Sequence, residues 1–196
     1  IKVLFSLFAI IYSFNSHSQS LNWSTIFQNI SYNDNLISHP DDSGNVYTVG
    51  EWSDSVFFQN TNFPFRQAIN AQSQLFICKQ NKSGQLVWFK NIGNPYGVEP
   101  YGFRIDNKGD LLIFGNFDGQ VDFDPDAGVF NLFAFGSRAL FVLKLDANGV
   151  FKWAQKVEGI DQMSDKSFAV DKNDNLYVAC NPGGSVDYDG DPSSTF

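Results

Sequence analysis

The sequence predicts an all-β protein, a β-propeller built from four-stranded, about 65-residue blades. The first observation is a repeat: Trp23, Trp88 and Trp153 are evenly spaced, since 88−23 and 153−88 both equal 65, and the chain overlays on itself around them without a gap. The second is a series of strand pairs joined by glycine-containing turns, and the third is the lack of any long stretch with a helical period. Because a fixed period above about 20 residues marks stacked supersecondary units, the repeat determines the fold class.

The repeat divides the chain into three approximate copies, residues 21–85, 86–150 and 151–196, within a repeat region that covers 19–196. The third copy is incomplete, because Phe196 falls in the middle of a repeat. Three copies are fewer than the roughly four to eight blades of a closed propeller. We therefore expect a segment of a larger ring, whose open blade faces self-associate.

The first hairpin of each copy is clearest in the second copy. Residues 101–106 and 110–117 are joined by the turn Asn107-Lys108-Gly109. Asp106 is expected to cap this turn through its side chain, and Gly109 to supply the positive φ that a tight turn needs.

The second hairpin joins residues 139–146 to 150–157 through Ala147-Asn148-Gly149, and its counterpart in the first copy runs from Gln74 to Ile92. The run Leu140–Leu143 is apolar without alternation, which is typical of strands buried on both faces. Four short strands per copy favour a propeller blade over a sandwich or an open sheet.

An insertion separates the two hairpins and varies most among the copies, at residues 53–73 and 118–138. We expect it to extend the blade as a ribbon or loop. Because insertions in repeat proteins gather on one face that often binds ligands, Trp52 beside the first insertion is a predicted ligand contact. Packing within blades, rather than stacking on sugars, is the interpretation of the recurrent tryptophans, Trp23, Trp88 and Trp153.

Acid-rich segments occupy the same columns of the second and third copies. Their alternating carboxylates are Asp122, Asp124 and Asp126 in the second copy and Asp187, Asp189 and Asp191 in the third. Calcium prefers six to eight oxygen ligands, which such a segment offers where the backbone turns sharply. The EF-hand pattern is not satisfied, because its twelfth position is Phe133 instead of glutamate. The alternative is a solvated strand edge with Asp122 and Asp124 outward and Phe123 inward.

Residues 1–18 are predicted to be a cleaved signal peptide. Lys2 precedes an apolar run that ends at Phe14 and is followed by polar residues. The run is shorter than the roughly 20 apolar residues that span a bilayer. A buried N-terminal strand or helix is the alternative interpretation.

The charge distribution disfavours nucleic acids and anionic membranes as partners. The chain has 21 acidic and 13 basic residues, a formal net charge of −8, and its Lys and Arg residues are scattered. Cys78 and Cys180 fall in different columns of the repeat and are interpreted as core-filling residues, although export would also permit a disulfide between them.

No catalytic constellation stands out in the sequence. His39 is the only histidine outside the predicted signal peptide, and we expect a surface role for it. Acid pairs such as Glu99 with Asp106, or Asp161 with Asp165, would hydrolyse glycosides only at the required separation in space.

The segments ALFVLKLDANG (139–149) and FAVDKNDNLYV (168–178), with Trp153 between them, resemble the bacterial beta-propeller repeat (SBBP) family. The resemblance covers nearly all of the chain after residue 18. It implies a secreted or surface-exposed bacterial protein and brings no catalytic residues. The sequence as a whole predicts a non-enzymatic, exported module that binds extracellular protein or glycan. The alternatives are the propeller part of a polysaccharide-active enzyme and an architectural spacer of a large adhesin.

Overall fold

A computed structural model describes residues 8–14, 21–28, 36–52, 55–56, 66–67, 74–157, 167–171, 173 and 175–179. Over these residues the chain forms β-strands and no helix, which confirms the all-β class. The strands are β1 (Phe8–Phe14), β2 (Leu21–Gln28), β3 (Ile37–Pro40), β4 (Val46–Trp52), β5 (Ser55–Val56), β6 (Arg66–Gln67), β7 (Gln74–Gln80), β8 (Leu86–Ile92), β9 (Val98–Ile105), β10 (Leu111–Asp122), β11 (Asn131–Leu145), β12 (Phe151–Val157), β13 (Ser167–Val170) and β14 (Leu176–Ala179).

Two four-stranded antiparallel sheets form the centre of the molecule. Sheet I has the strand order β3-β4-β7-β8, and sheet II has the order β9-β10-β11-β12. Neighbours in each sheet are neighbours in sequence, apart from the short β5–β6 pair inserted between β4 and β7. Two hairpins, β1–β2 and β13–β14, precede and follow these sheets along the chain.

The strand bounds repeat with the period of the sequence. Strand β8 covers 86–92 and β12 covers 151–157, a shift equal to the spacing between Trp88 and Trp153. The same shift relates β13 to the last four residues of β9 and β14 to the first four residues of β10. Each sheet takes three strands from one sequence copy and its fourth strand from the next. The period of the sequence is therefore a structural period as well.

The turns within hairpins share one hydrogen-bonded geometry. Asp106 accepts hydrogen bonds at Oδ1 from the N–H groups of Lys108 at 2.8 Å and Asp110 at 2.9 Å. Gly109 has φ +81° and donates its N–H to the Asp106 carbonyl at 3.0 Å. The predicted cap and the predicted positive φ are both confirmed. The same side-chain cap recurs at Asp41, Asn81, Asp146 and Asp171.

The largest hydrophobic cluster lies between sheet I and sheet II. Sheet I contributes Leu75 and Ile77, and sheet II contributes Phe103 and Phe141, all four without exposed surface. The opposite face of sheet II packs against the β13–β14 hairpin, where the rings of Phe114 and Phe168 stack at 4.3 Å. Strands of sheet II are thus buried on both faces, as the apolar runs predicted.

No helix among the residues with described positions has the length and apolar character needed to cross a membrane. Strand β1 lies within the predicted signal peptide, and cleavage there stays a prediction.

Candidate functional site

The two ends of the sheets differ in how much their sequence varies between the copies of the repeat. One end, the turn end, carries the repeated Asp- or Asn-capped turns. The other, the ribbon end, carries the connections between the second and third strand of each sheet. In sheet II this connection extends β10 and β11 as a two-stranded ribbon, in which Gly119–Asp122 pairs with Asn131–Ala134. The predicted extension of the insertion as a ribbon is confirmed for this copy.

The acid-rich segment forms the loop that closes this ribbon. Asp122 Oδ1 accepts the N–H of Phe130 at 2.7 Å and that of Asp124 at 3.1 Å. Asp124 Oδ1 accepts the N–H of Asp126 at 2.9 Å. Phe123 points inward without exposed surface, with its ring 4.9 Å from that of Phe141. The carboxylates therefore organise the loop backbone around a buried aromatic anchor.

Asp126 forms an ion pair with Lys90 of sheet I, so the loop of sheet II reaches the last strand of the preceding sheet. Within the parts of the chain that the structure describes, no three His, Cys, Asp or Glu side chains are grouped as a metal site. Asp187, Asp189 and Asp191 lie outside the described residues. Calcium binding by the two acid-rich segments stays a prediction.

Trp52 has no solvent-exposed surface. Its ring packs edge-on against Phe89 at 6.1 Å, in a cluster with Phe76 and Cys78. Its indole Nε1 has no hydrogen-bond partner among the described residues. A ligand would reach this ring only after its neighbours moved, so the predicted ligand contact gains no support from the structure.

The recurrent tryptophans differ in environment. Trp88 of sheet I donates its indole N–H to the Ala147 carbonyl in sheet II at 3.3 Å, and the same oxygen accepts from Lys79 Nζ at 3.1 Å. The Trp88 ring lies 6.0 Å from that of Tyr47, consistent with the predicted packing role. Trp153 is 38% exposed, and the side chain of Trp23 lies outside the described part of the chain.

The surroundings of His39 and Cys78 indicate structural roles for both side chains. The His39 ring packs edge-on against Phe103 at 4.9 Å, and burial followed by the charge of Arg104 lowers its pKa. Cys78 is a buried free thiol whose pKa is raised to about 12 by burial. Both groups are therefore neutral near pH 7, and the core-filling interpretation of Cys78 is confirmed. Cys180 lies outside the described residues.

A polar cluster on sheet II lies near the ribbon end and consists of Glu99, Tyr101, Asn116 and Arg138. Arg138 Nη1 donates to Glu99 Oε2 at 3.0 Å. With its amide oxygen toward Tyr101, Asn116 accepts from the Tyr101 hydroxyl and from Arg138 Nη1 at 3.2 Å, and it donates to Glu99 Oε2 at 3.3 Å. Burial, followed by the charge of Glu99, raises the pKa of Tyr101 to about 12, so its hydroxyl stays protonated as a donor. We call this group the Glu99 cluster.

An exposed aromatic side chain, that of Tyr96, lies three residues before Glu99 of this cluster in the chain. Tyr96 is 65% exposed, and its ring covers Gly119, where a Cβ would lie 2.5 Å from Tyr96 Cδ2. The side chain of buried Asn94 fixes the segment by accepting the N–H groups of Tyr96 at 2.9 Å and Gly97 at 2.8 Å. It also donates to the carbonyl of Gln120 in the ribbon at 2.9 Å. Tyr96 is therefore an exposed ring on a hydrogen-bonded support.

The Glu99 cluster was not predicted as a group from the sequence. Of its members the sequence singled out Glu99 alone, paired with Asp106 as a glycosidase candidate. Asp106 instead bonds Lys144 Nζ at 2.6 Å, and Glu99 bonds Arg138. The sequence carried one signal for this cluster, because its four positions differ between the first and second copies. The first copy has Asp34, Leu36, Glu51 and Ser73 at the positions of Glu99, Tyr101, Asn116 and Arg138.

A cavity of about 490 Å³ lies at the turn end, between residues 40–43 of sheet I and 105–109 of sheet II. Both walls are capped turns of the same kind, so the cavity follows from the stacking of two equivalent hairpins.

Comparison with models of known protein families and with curated proteins gave no match.

Proposed function

We propose that this chain is a β-propeller repeat module that binds an extracellular protein or glycan through the ribbon end of its sheets. Two features support the propeller. Successive four-stranded meanders recur with the period of the sequence, and each stacks a face on the next, with β13–β14 continuing the series. Stacked meanders of this kind are the blades of propellers. The resemblance to bacterial beta-propeller repeats favours the same architecture and a bacterial surface location.

The observation that carries the binding proposal is Tyr96. Large aromatic side chains are usually buried, and one that is 65% exposed on a rigid support provides contact area at a low cost in conformational entropy. The Glu99 cluster on the same sheet offers carboxylate, guanidinium and phenol groups, which suit hydrogen bonding to sugar hydroxyls or peptide groups. The turn end instead repeats one turn geometry, in which a capping side chain accepts backbone N–H groups. This end therefore varies less between the copies.

The direct test is a screen of the purified chain against arrays of glycans and bacterial-surface proteins. Any binder found is then measured with Y96A and with R138M, which removes the guanidinium but keeps most of the stem. We expect each variant to weaken binding about tenfold or more, since interface Tyr and Arg side chains often contribute over about 1 kcal/mol. V87A, at a 48% exposed position on sheet I, is the matched control and should leave binding unchanged.

Three outcomes separate the proposal from its rivals. Binding that Y96A and R138M leave intact would place the site elsewhere and contradict the ribbon-end assignment. Turnover of a polysaccharide on the array would favour the enzyme alternative. A complete lack of binding would favour the architectural spacer. Calcium is tested separately, by following the melting temperature of the folded chain during a calcium titration.

A further inference from the structure

We infer that the ribbon end binds an uncharged glycan, with one sugar ring packed on Tyr96 and neighbouring hydroxyl groups hydrogen-bonded by Glu99 and Arg138. The inference rests on the proposed function and narrows its ligand to one chemical class. Protein partners and charged glycans are the alternatives that its test separates.

Tyr96 provides the apolar surface for a sugar ring. It lies so close to Gly119 that a Cβ at residue 119 would be 2.5 Å from Tyr96 Cδ2 and 3.0 Å from Cε2. Glycine therefore lets the ring rest on the backbone of the ribbon, while 65% of Tyr96 is still exposed. The face of an aromatic ring is electron-rich and attracts the C–H groups that line one face of a sugar ring. Tyr96 thus offers a contact that needs no charge on the ligand.

Glu99 and Arg138 provide a free acceptor beside a free donor. Arg138 Nη1 donates to Glu99 Oε2 at 3.0 Å, and the Asn116 amide bonds to both side chains. Among the described residues, Glu99 Oε1 and Arg138 Nη2 have no hydrogen-bond partner. Hydroxyl groups both donate and accept, and a sugar carries them on adjacent carbon atoms. One hydroxyl can therefore donate to Oε1 while its neighbour accepts from Nη2.

The distance between the two contacts suits a short oligosaccharide. Tyr96 and Glu99 are three residues apart, and so are Gly119 and Asn116, which they contact on the neighbouring strand. At the rise of a strand, three residues correspond to about 10 Å. The register shift after Phe117 interrupts the alternation of faces, so the two contacts are not forced onto opposite sides of the sheet. Linked sugar rings can reach both.

The charges of the cluster disfavour an ionic ligand. The side chains of Glu99 and Arg138 are 29% and 53% exposed, so a bound ligand faces both signs of charge. Burial and the charge of Glu99 raise the pKa of Tyr101, and the charge of Glu51 in sheet I raises it further. A second carboxylate therefore acts on the cluster. An anion would be repelled by these two acids and a cation by Arg138, whereas a hydroxyl group is compatible with all three.

The surroundings of Tyr96 suit a sugar better than a protein. A stable protein interface buries about 800 Å² on each partner and has a desolvated apolar centre. The ribbon residues beside Tyr96 are Asp118, Gly119 and Gln120, none of which is apolar. A single aromatic side chain with polar neighbours is large enough for one sugar ring but gives no apolar centre to a larger interface.

Titration calorimetry tests the ligand class directly. The purified chain is titrated with uncharged tetrasaccharides of glucose, mannose and galactose, and with tetrasaccharides of galacturonate and glucosamine as the charged counterparts. We expect at least one uncharged tetrasaccharide to bind more tightly than both charged ones. Tighter binding of a charged tetrasaccharide, or no binding of any uncharged one, would overturn the inference.

Two variants of Tyr96 test the stacking contact. Y96A removes the ring and should weaken binding of the uncharged tetrasaccharide about tenfold or more, whereas Y96F keeps the ring and should weaken it less than about threefold. Equal losses would mean that the phenol hydroxyl, and not the ring, makes the contact. V87A serves again as the control outside the site, and far-UV circular dichroism checks that every variant is folded.

Variants of the ion pair test whether these two side chains touch the ligand. E99Q keeps an acceptor oxygen but leaves Arg138 without its carboxylate, so binding of the galacturonate tetrasaccharide should improve about fivefold relative to the uncharged one. R138M leaves Glu99 without its guanidinium and should improve binding of the glucosamine tetrasaccharide to a similar extent. A merely structural role would weaken all ligands alike, and an unchanged ranking in both variants would contradict the inference.

Failure of this inference differs from failure of the proposed function. A protein partner whose binding is weakened by Y96A and R138M would overturn the glycan ligand and leave the ribbon-end site in place. A glycan whose binding neither variant weakens would contradict the ribbon-end site itself.

Discussion

The strands of sheet I and sheet II have equivalent bounds at the turn end, and their turns are alike, yet the two sheets hold their polar groups differently. In sheet II, Lys144 Nζ lies 2.6 Å from Asp106 Oδ2 and 3.3 Å from Asp110 Oδ2, and Lys152 Nζ lies 2.6 Å from Asp110 Oδ2. In sheet I, the columns of Asp110 and Lys152 hold Asn45 and Val87. Asp110 therefore occurs in the same sheet as Lys152, the lysine that neutralises its charge.

The equivalent lysines also have different partners. Lys144 bonds within its own sheet, whereas Lys79 reaches the Ala147 carbonyl of sheet II. Asp41, the counterpart of Asp106, instead binds the side-chain amide of Asn45 at 2.8 Å. One backbone unit thus accepts different polar networks, while its packing columns stay apolar.

The largest expected effect is at the junction of the two sheets. Phe141 has no exposed surface and packs its ring against those of Phe117 and Phe123. F141A should lower the free energy of unfolding by about 3–5 kcal/mol, because it leaves a cavity in the core. F133A, at a 37% exposed position on the same strand, should change it by less than about 1 kcal/mol. Urea denaturation measures both, and equal effects would contradict the assignment of the core.

The glycines of one column should differ in tolerance. A Cβ on Gly115 would clash with the Glu99 carbonyl oxygen, which is backbone, whereas a Cβ on Gly50 would meet only side chains, Phe76 at 2.6 Å and Leu36 at 2.8 Å. G115A should cost about 3 kcal/mol or more, and G50A about 1–2 kcal/mol, because side chains rotate away more easily than a carbonyl moves. Thermal unfolding of both variants decides the order, and a more damaging G50A would contradict it.

The stability of the fold at acidic pH should depend more on Asp106 than on Asp41. Burial favours the neutral form of Asp106, but the Lys144 hydrogen bond and the turn N–H groups outweigh it and lower the pKa below 3.8. Its ionised form therefore stabilises the fold above pH 3.8, and this contribution is lost as the pH falls through the folded-state pKa. D106N should cost about 1–3 kcal/mol near neutral pH and weaken the acid dependence of stability. D41N, without a lysine bonded to its carboxylate, should cost less. A D106N profile parallel to the wild type would contradict this account.

The smallest expected effect concerns the two tryptophans. W88F removes the donor to Ala147 and should cost about 1 kcal/mol, whereas W153F should stay within about 0.5 kcal/mol. Urea denaturation of both variants compares their unfolding midpoints with that of the wild type. Equal losses would mean that Trp153 is as well covered as Trp88.

The strands and turns were predictable because their signals are local. The capped turn at Asp106 and Gly109 follows from adjacent residues, and the apolar run Leu140–Leu143 indicates burial directly. The Glu99 cluster was not predictable in this way, because Glu99 and Arg138 are 39 positions apart and meet only through the pairing of β9, β10 and β11. Trp52 stands beside a variable insertion, yet it belongs to a face of β4 that packs into the core.

The central claim is that the units are blades related by one repeated rotation. A crystal structure of the chain tests it most directly, through the rotations that superpose sheet I on sheet II and sheet II on the β13–β14 hairpin. The account predicts the same angle about one common axis for both steps. Two unrelated axes would contradict it, and would reduce the sequence period to a series of stacked hairpins without a ring.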